Sequence, residues 1–121
     1  MKVSKRSRPV LITVGANESL ADAAERMRWY GVGALPVYEH HALVGIVTEC
    51  DVTAAVADGV DPARSLVRDH MTPGPATVAP DADLADAIRI MAELGVRHLP
   101  VVERHRPAGM LSIRDLIGTG T

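Results

Sequence analysis

Residues 10–52 and 74–116 can be laid over each other at an offset of 64 without a gap, and sixteen positions are then identical. The matches include Thr13/Thr77, Leu20/Leu84, Asp22/Asp86, Met27/Met91, Gly31/Gly95, the Leu-Pro-Val of 35–37 and 99–101, Gly45/Gly109 and Asp51/Asp115. A repeat at a fixed period constrains a fold more tightly than local propensity does, because each copy must form the same unit. A unit of about 50 residues buries too little apolar surface to be comfortable alone. The two copies are therefore expected to share one core, with their sheets facing each other across a cleft of pseudo-twofold symmetry.

Local signals come in the same order in both copies. Thr13-Val14 and Thr77-Val78 read as short extended segments, and Ser19 and Asp83 stand where helix N-caps would, each with an aspartate three residues on. Leu20, Ala23, Ala24, Met27 and Tyr30, matched by Leu84, Ala87, Ile88, Met91 and Leu94, form a stripe at helical spacing, which predicts a helix with that face buried. Gly31 and Gly95 end these helices, glycine being at ease in the left-handed conformation. ALPVYE with LVGIVT, and HLPVVE with PAGMLS, read as two hairpins. Pro36 and Pro100 argue that the first strand of each is an edge strand, or that the proline stands at its start. A second helix follows, clear in VTAAVADG and short in LIGTG, while Asp61-Pro62-Ala63 breaks the chain and RSLVRDHM reads as a connecting helical turn.

The expected fold is α/β (α+β), two β-α-β-β-α repeats packed sheet to sheet. Residues 1–8 are a basic tail, 9–60 the first repeat, 61–73 a connector and 74–121 the second repeat.

Composition narrows the function. Hydrophobic residues make up 47% of the chain, yet the aromatics are only Trp29, Tyr30 and Tyr38, so the core must be built from small aliphatics and methionine, Met27 and Met91 among them. No apolar run reaches the roughly 18–20 residues of a membrane span, and the start lacks the apolar segment of a secretion signal, which points to a cytoplasmic protein away from membranes. The single Cys50 permits no intrachain disulfide. Lys2, Lys5, Arg6 and Arg8 crowd the start, leaving residues 9–121 with 9 basic against 15 acidic side chains. A body that acidic argues against nucleic acid as a partner, and the basic start is expected as a solvated, poorly ordered tail. There is no nucleophile elbow, P-loop, GxGxxG or clustered acid–base set, so no enzyme and no catalytic residue is expected. His40, His41 and His105 fall in hairpin turns without chelating spacing, so neither is a metal site.

The stretches GIVTECD, 45–51, and GMLSIRD, 109–115, carry the strongest hint of chemistry. In each a hydroxyl residue stands three places before an aspartate. That spacing makes a helix capping box, and it also presents an alcohol and a carboxylate to a ligand; the two uses are compatible. Glycine within a strand marks close approach of a ligand or of another backbone, or a bulge.

The pattern G-V-x-x-L-P-V-x-E, then Gly-apolar-apolar-Thr/Ser-x-x-Asp, occurring twice with VRDHMT ahead of the second copy, resembles the tandem cystathionine-β-synthase (CBS) domain, or Bateman module, over roughly residues 9–118. The resemblance implies the β-α-β-β-α unit, frequent dimerisation, and an adenosine derivative bound in a cleft to regulate an attached or partner protein. It assigns Asp51 and Asp115 to the ribose hydroxyls and Thr48 and Ser112 to ribose or phosphate. Two carboxylate oxygens suit the two donors of a diol. Arg97 and His98, where the first copy has Gly33 and Ala34, stand where related modules place cations against phosphate, and Arg114 is a further candidate for phosphate. The expectation is a regulatory adenine-nucleotide sensor with no required cofactor. Its ligand is AMP, ADP or ATP ahead of S-adenosylmethionine or NAD, and it works as a homodimer on an unidentified effector protein. A ligand-free structural or dimerisation module is the alternative. Ser112 and Asp115 are expected to form the better-supplied site, with Thr48 and Asp51 binding weakly or only capping their helix.

Overall fold

The computed structural model describes residues 1–9 and 12–117. The last residues of the LIGTG stretch, 118–121, lie outside the described residues. Residues 12–75 form one compact unit, and the described residues that follow join the N-terminal segment in a second.

In the first unit the order is β1 (Val14–Gly15), α1 (Leu20–Tyr30), β2 (Ala34–Glu39), β3 (Ala42–Thr48), α2 (Glu49–Ala57), a 3-10 turn at Val67–Asp69, and β4 (Thr72–Pro73). The sheet order is β1-β2-β3-β4, with β1 parallel to β2 and the other pairs antiparallel. The second unit contains α3 (Leu84–Leu94), β5 (His98–Glu103), β6 (Arg106–Ser112) and α4 (Ile113–Ile117). Single bridges flank its β5–β6 hairpin, Val78 with Val101 in parallel and Arg8 with Met110 antiparallel. These stand 64 residues from β1 and β4, so both units are mixed α+β and repeat one topology.

The helix boundaries follow from their caps. Ser19 Oγ accepts from Asp22 N at 3.1 Å and Asp83 Oδ1 from Ala85 N at 3.1 Å, each satisfying a backbone donor that the first turn leaves open. Gly31 (φ 67°) and Gly95 (φ 66°) close the helices in the left-handed conformation.

Three expectations need correction. The N-terminal segment is not a solvated tail. Val3 is fully buried against Met91, Leu99 and Leu111, in a 3-10 turn at Val3–Lys5. Val3 N donates to Ala82 O (2.9 Å), Ser4 N to Pro80 O (2.9 Å) and Leu84 N to Met1 O (2.8 Å). The same three bonds recur 64 residues on, from Val67 N to Glu18 O, Arg68 N to Ala16 O and Leu20 N to Ser65 O, each 2.9 Å. The cationic side chains do not prevent this, because Lys2, Lys5 and Arg8 stay exposed while the backbone and Val3 make the contacts.

Each unit has its own hydrophobic cluster. Leu20, Met27, Leu35, Val37, Val47 and Val67 anchor the first, and Val3, Met91, Leu99, Val101 and Leu111 the second. The helical stripe is narrower than its sequence pattern: Leu20, Ala23, Met27, Ala87 and Met91 are buried, but Tyr30, Ile88 and Leu94 are exposed. Finally, β2 is an inner strand despite Pro36. The two-residue β1 begins opposite Val37, so Pro36 has no ladder partner on that side to disappoint.

Candidate functional site

The motif glycines are explained by backbone. A Cβ on Gly109 would lie 2.7 Å from Arg8 O, and one on Gly45 would lie 3.0 Å from Thr72 O and collide with Met71. A side chain at either place would push away the segment bridged to β6 or β3. The hairpins also skip a residue beside each glycine, between Val37/Tyr38 and Val101/Val102, so a bulge and a close backbone approach coexist.

Thr48 is the N-cap of α2, and its capping box is complete. Thr48 Oγ1 accepts from Asp51 N at 3.3 Å, while Asp51 Oδ2 accepts from Thr48 N at 2.8 Å and from Thr48 Oγ1 at 3.1 Å. Both side chains are half-buried. The carboxylate thus closes its own helix start.

The second copy behaves differently with nearly the same residues. Ser112 Oγ accepts from Arg114 N at 3.3 Å, and Asp115 pairs with a cation from the N-terminal segment. Its Oδ1 accepts from Arg8 Nε at 2.9 Å; the Asp115 side chain is 10% exposed and that of Arg8 57%. Arg8 is held there by its backbone, with Arg8 N donating to Met110 O (3.0 Å) and Met110 N to Arg8 O (2.8 Å). Directly opposed residues of an antiparallel pair share a sheet face, and so do residues two apart, so Arg8, Met110 and Ser112 face the same side.

His98 pairs with Ser112 across β5–β6, as Ala34 pairs with Thr48. Arg97 is exposed and its carbonyl accepts from Ile113 N at 2.9 Å, the counterpart of Gly33 O with Glu49 N at 3.0 Å. Arg97, His98, Ser112, Arg114, Asp115 and Arg8 therefore gather around the end of one hairpin, with Arg114 exposed. Thr48 and Asp51 sit at the corresponding end of the other hairpin, in the other unit.

Arg8 was missed by the sequence reading. A signal was available: the offset of 64 also matches Val3 with Val67 and Pro9 with Pro73, which places Arg8 where the later copy has Thr72. Two further ion pairs escaped notice in the first unit. Arg26 Nη1 donates to Glu18 Oε2 at 2.7 Å, and Gly15 N donates to the same oxygen at 2.7 Å. The bond to Arg26 holds the Glu18 carboxyl below its ordinary range against the opposing effect of burial, and the Arg26 pKa is raised in turn. Arg68 pairs with Glu39 and donates through Nε to Asn17 Oδ1 at 2.9 Å.

His40 and His41, and Arg104 and His105, form two-residue hairpin loops with φ between 50° and 66° at all four. Among the described residues no group of three His, Cys, Asp or Glu side chains is arranged to hold a metal, and no helix is long and apolar enough to cross a membrane.

The sequence profile of the CBS domain matches residues 4–58 and again 67–119. The chain belongs to the CBS domain family. Its two copies make it a tandem CBS pair, and both matched segments reach into the stretches that precede each hairpin unit. The chain is 32% identical over 108 residues to the CBS domain-containing protein YhcV of Bacillus subtilis, covering 86% of this chain and 74% of that protein. A CBS-domain protein of Burkholderia ambifaria MC40-6 superposes with a TM-score of 0.89 at 29% identity, over 99% of this chain and 93% of the other. CBSX2, solved in complex with AMP, gives 0.84 at 29% identity over 98% and 95%.

Proposed function

We propose that this CBS pair is a regulatory module that binds an adenine nucleotide at the end of the β5–β6 hairpin, with Asp115 receiving the ribose diol. Ser112 lies beside the ribose, and Arg97, His98 and Arg114 serve the phosphates. One observation carries the reading. Asp115 is largely withdrawn from water and paired with Arg8, while its counterpart Asp51 is engaged in the capping box of α2, so the second copy keeps a carboxylate oriented by a cation from another segment. Arg8 uses one of roughly four acceptor positions that a carboxylate offers, leaving capacity for a diol. The likeness to CBSX2, solved with AMP, supports the ligand class.

AMP, ADP and ATP rank ahead of S-adenosylmethionine and NAD because the candidate site is rich in cations. Thr48 and Asp51 are a weaker second site whose first task is to cap α2. Binding would alter the affinity for an effector protein, which requires that the ligand favour one of two states of the module. Trp29 is 82% exposed and Tyr30 52% on α1, a pair of aromatics suited to an interface, in keeping with a homodimer.

The competing reading, a ligand-free dimerisation module, is favoured by the engagement of both aspartates within the protein. Melting with and without each nucleotide separates the two. At 100 times its dissociation constant a ligand adds about 2.7 kcal/mol of stability. A raised midpoint with AMP, ADP or ATP supports the sensor, and an unmoved midpoint with every nucleotide supports the structural module.

A further inference from the structure

The two carboxylates of the repeated motif have different neighbours, and among the non-identical pairs around them is Arg8 with Thr72. Both residues occupy the bridge position opposite the motif strand, Arg8 against Met110 and Thr72 against Ile46. Threonine is neutral and short, and in that unit Asp51 is engaged by Thr48. Arginine reaches Asp115 through Nε at 2.9 Å, and more than half of the side chain is exposed. We propose that Arg8 is the residue that selects phosphate-bearing ligands at the second unit's site, by neutralising Asp115 and presenting its terminal nitrogens to the anion. This rests on the reading of Asp115 as a ribose acceptor.

The physical need is plain. A carboxylate placed to accept the ribose hydroxyls puts a negative charge within a few ångströms of a 5′-phosphate, and in a poorly hydrated site like charges repel strongly. A guanidinium is always charged, and its five donors in a planar fork allow one edge to hold a carboxylate while another meets a phosphate. Arg8 is also well placed to stay put, since two backbone hydrogen bonds to Met110 fix its origin whatever the side chain does. Arg97 and Arg114 contribute charge from exposed positions, while the ion pair to Asp115 comes from Arg8.

The test is calorimetric titration of the whole chain with AMP and with adenosine, read at the site that Asp115→Asn weakens, for wild type, Arg8→Thr and Arg8→Lys. Arg8→Thr places in this unit the residue the other unit already tolerates, and Arg8→Lys keeps the charge. Wild type is expected to prefer AMP over adenosine at least tenfold. Arg8→Thr should bring that ratio near one by weakening AMP while sparing adenosine, and Arg8→Lys should retain most of it. An unchanged ratio in Arg8→Thr, or tighter binding of both ligands, overturns the proposal and leaves the nucleotide site standing. Failure of wild type to bind either ligand overturns the nucleotide site itself, and the selectivity of Arg8 with it.

Discussion

Asp51 and Asp115 occupy equivalent positions of one repeat, yet one carboxylate closes the capping box of α2 and the other crosses to Arg8. The lesson is that a duplicated motif preserves the backbone frame more faithfully than the partners of its side chains. Glycine at 45 and 109, the bulge beside each, and the three backbone bonds to the preceding segment are kept in both units. What changed are the side chains set on that frame. The first unit gained the Glu18–Arg26 and Arg68–Glu39 pairs, where the second has Ala82 with Ile90 and Ser4 with Glu103. The second unit acquired Arg97, His98, Arg114 and Arg8 around its aspartate.

The strongest way to break this comparison is to remove residues 1–9. If that segment does for the second unit what 67–73 does for the first, the loss of buried Val3 and of its backbone bonds should cost more than about 3 kcal/mol. Urea denaturation should then show the second unit unfolding first. Unfolding indistinguishable from that of the full chain would mean the segment is a passive tail after all.

Next in size are the glycines. Alanine at 109 meets the Arg8 carbonyl, which is backbone, whereas alanine at 45 meets mainly the flexible Met71. Both should destabilise, in the range of about 1–3 kcal/mol typical of overpacking, with Gly109→Ala the worse. The reverse order, measured by denaturant midpoints, would show that Met71 is held more rigidly than its side chain type implies.

Asp51→Ala should then cost about 1 kcal/mol through the lost cap. Asp115→Ala should cost less, because its partner Arg8 remains largely hydrated and pairs of that kind contribute about 0–1 kcal/mol. Equal losses would erase the distinction drawn between capping and pairing.

The smallest expected effect is a pH dependence in the first unit. With its folded pKa below the ordinary value of 4.5, Glu18 adds stability that is fully present above that value and is lost as pH falls through the lower folded one. Both partners are about a third exposed, so the gain is a few tenths of a kcal/mol. Glu18→Gln should therefore be less stable than wild type at pH 7, and the gap should narrow as pH falls below 4.5; a constant gap would show that the carboxylate's charge is not responsible.

Much of the fold was legible in the sequence because it is written locally. Ser19 and Gly31 bracket α1 as expected, Asp83 and Gly95 bracket α3, and ALPVYE and HLPVVE coincide with β2 and β5. The N-terminal segment was not legible by the same means. Its charge suggests solvent, and only one buried side chain, Val3, with a run of backbone bonds to residues about 80 positions away, ties it down. The candidate site was half legible for the same reason. Thr48 and Asp51 act within one turn of chain and follow the capping rule, while Asp115 finds a partner 107 residues distant that no local spacing announces.

In the proposed function Asp115 anchors a nucleotide that Asp51 holds weakly or not at all. Calorimetric titration of AMP into wild type, Asp115→Asn and Asp51→Asn tests it most directly. The expected result is at least a tenfold loss of affinity at the tighter site in Asp115→Asn, with that site retained in Asp51→Asn. Binding that survives Asp115→Asn unchanged, or that Asp51→Asn abolishes instead, would contradict it.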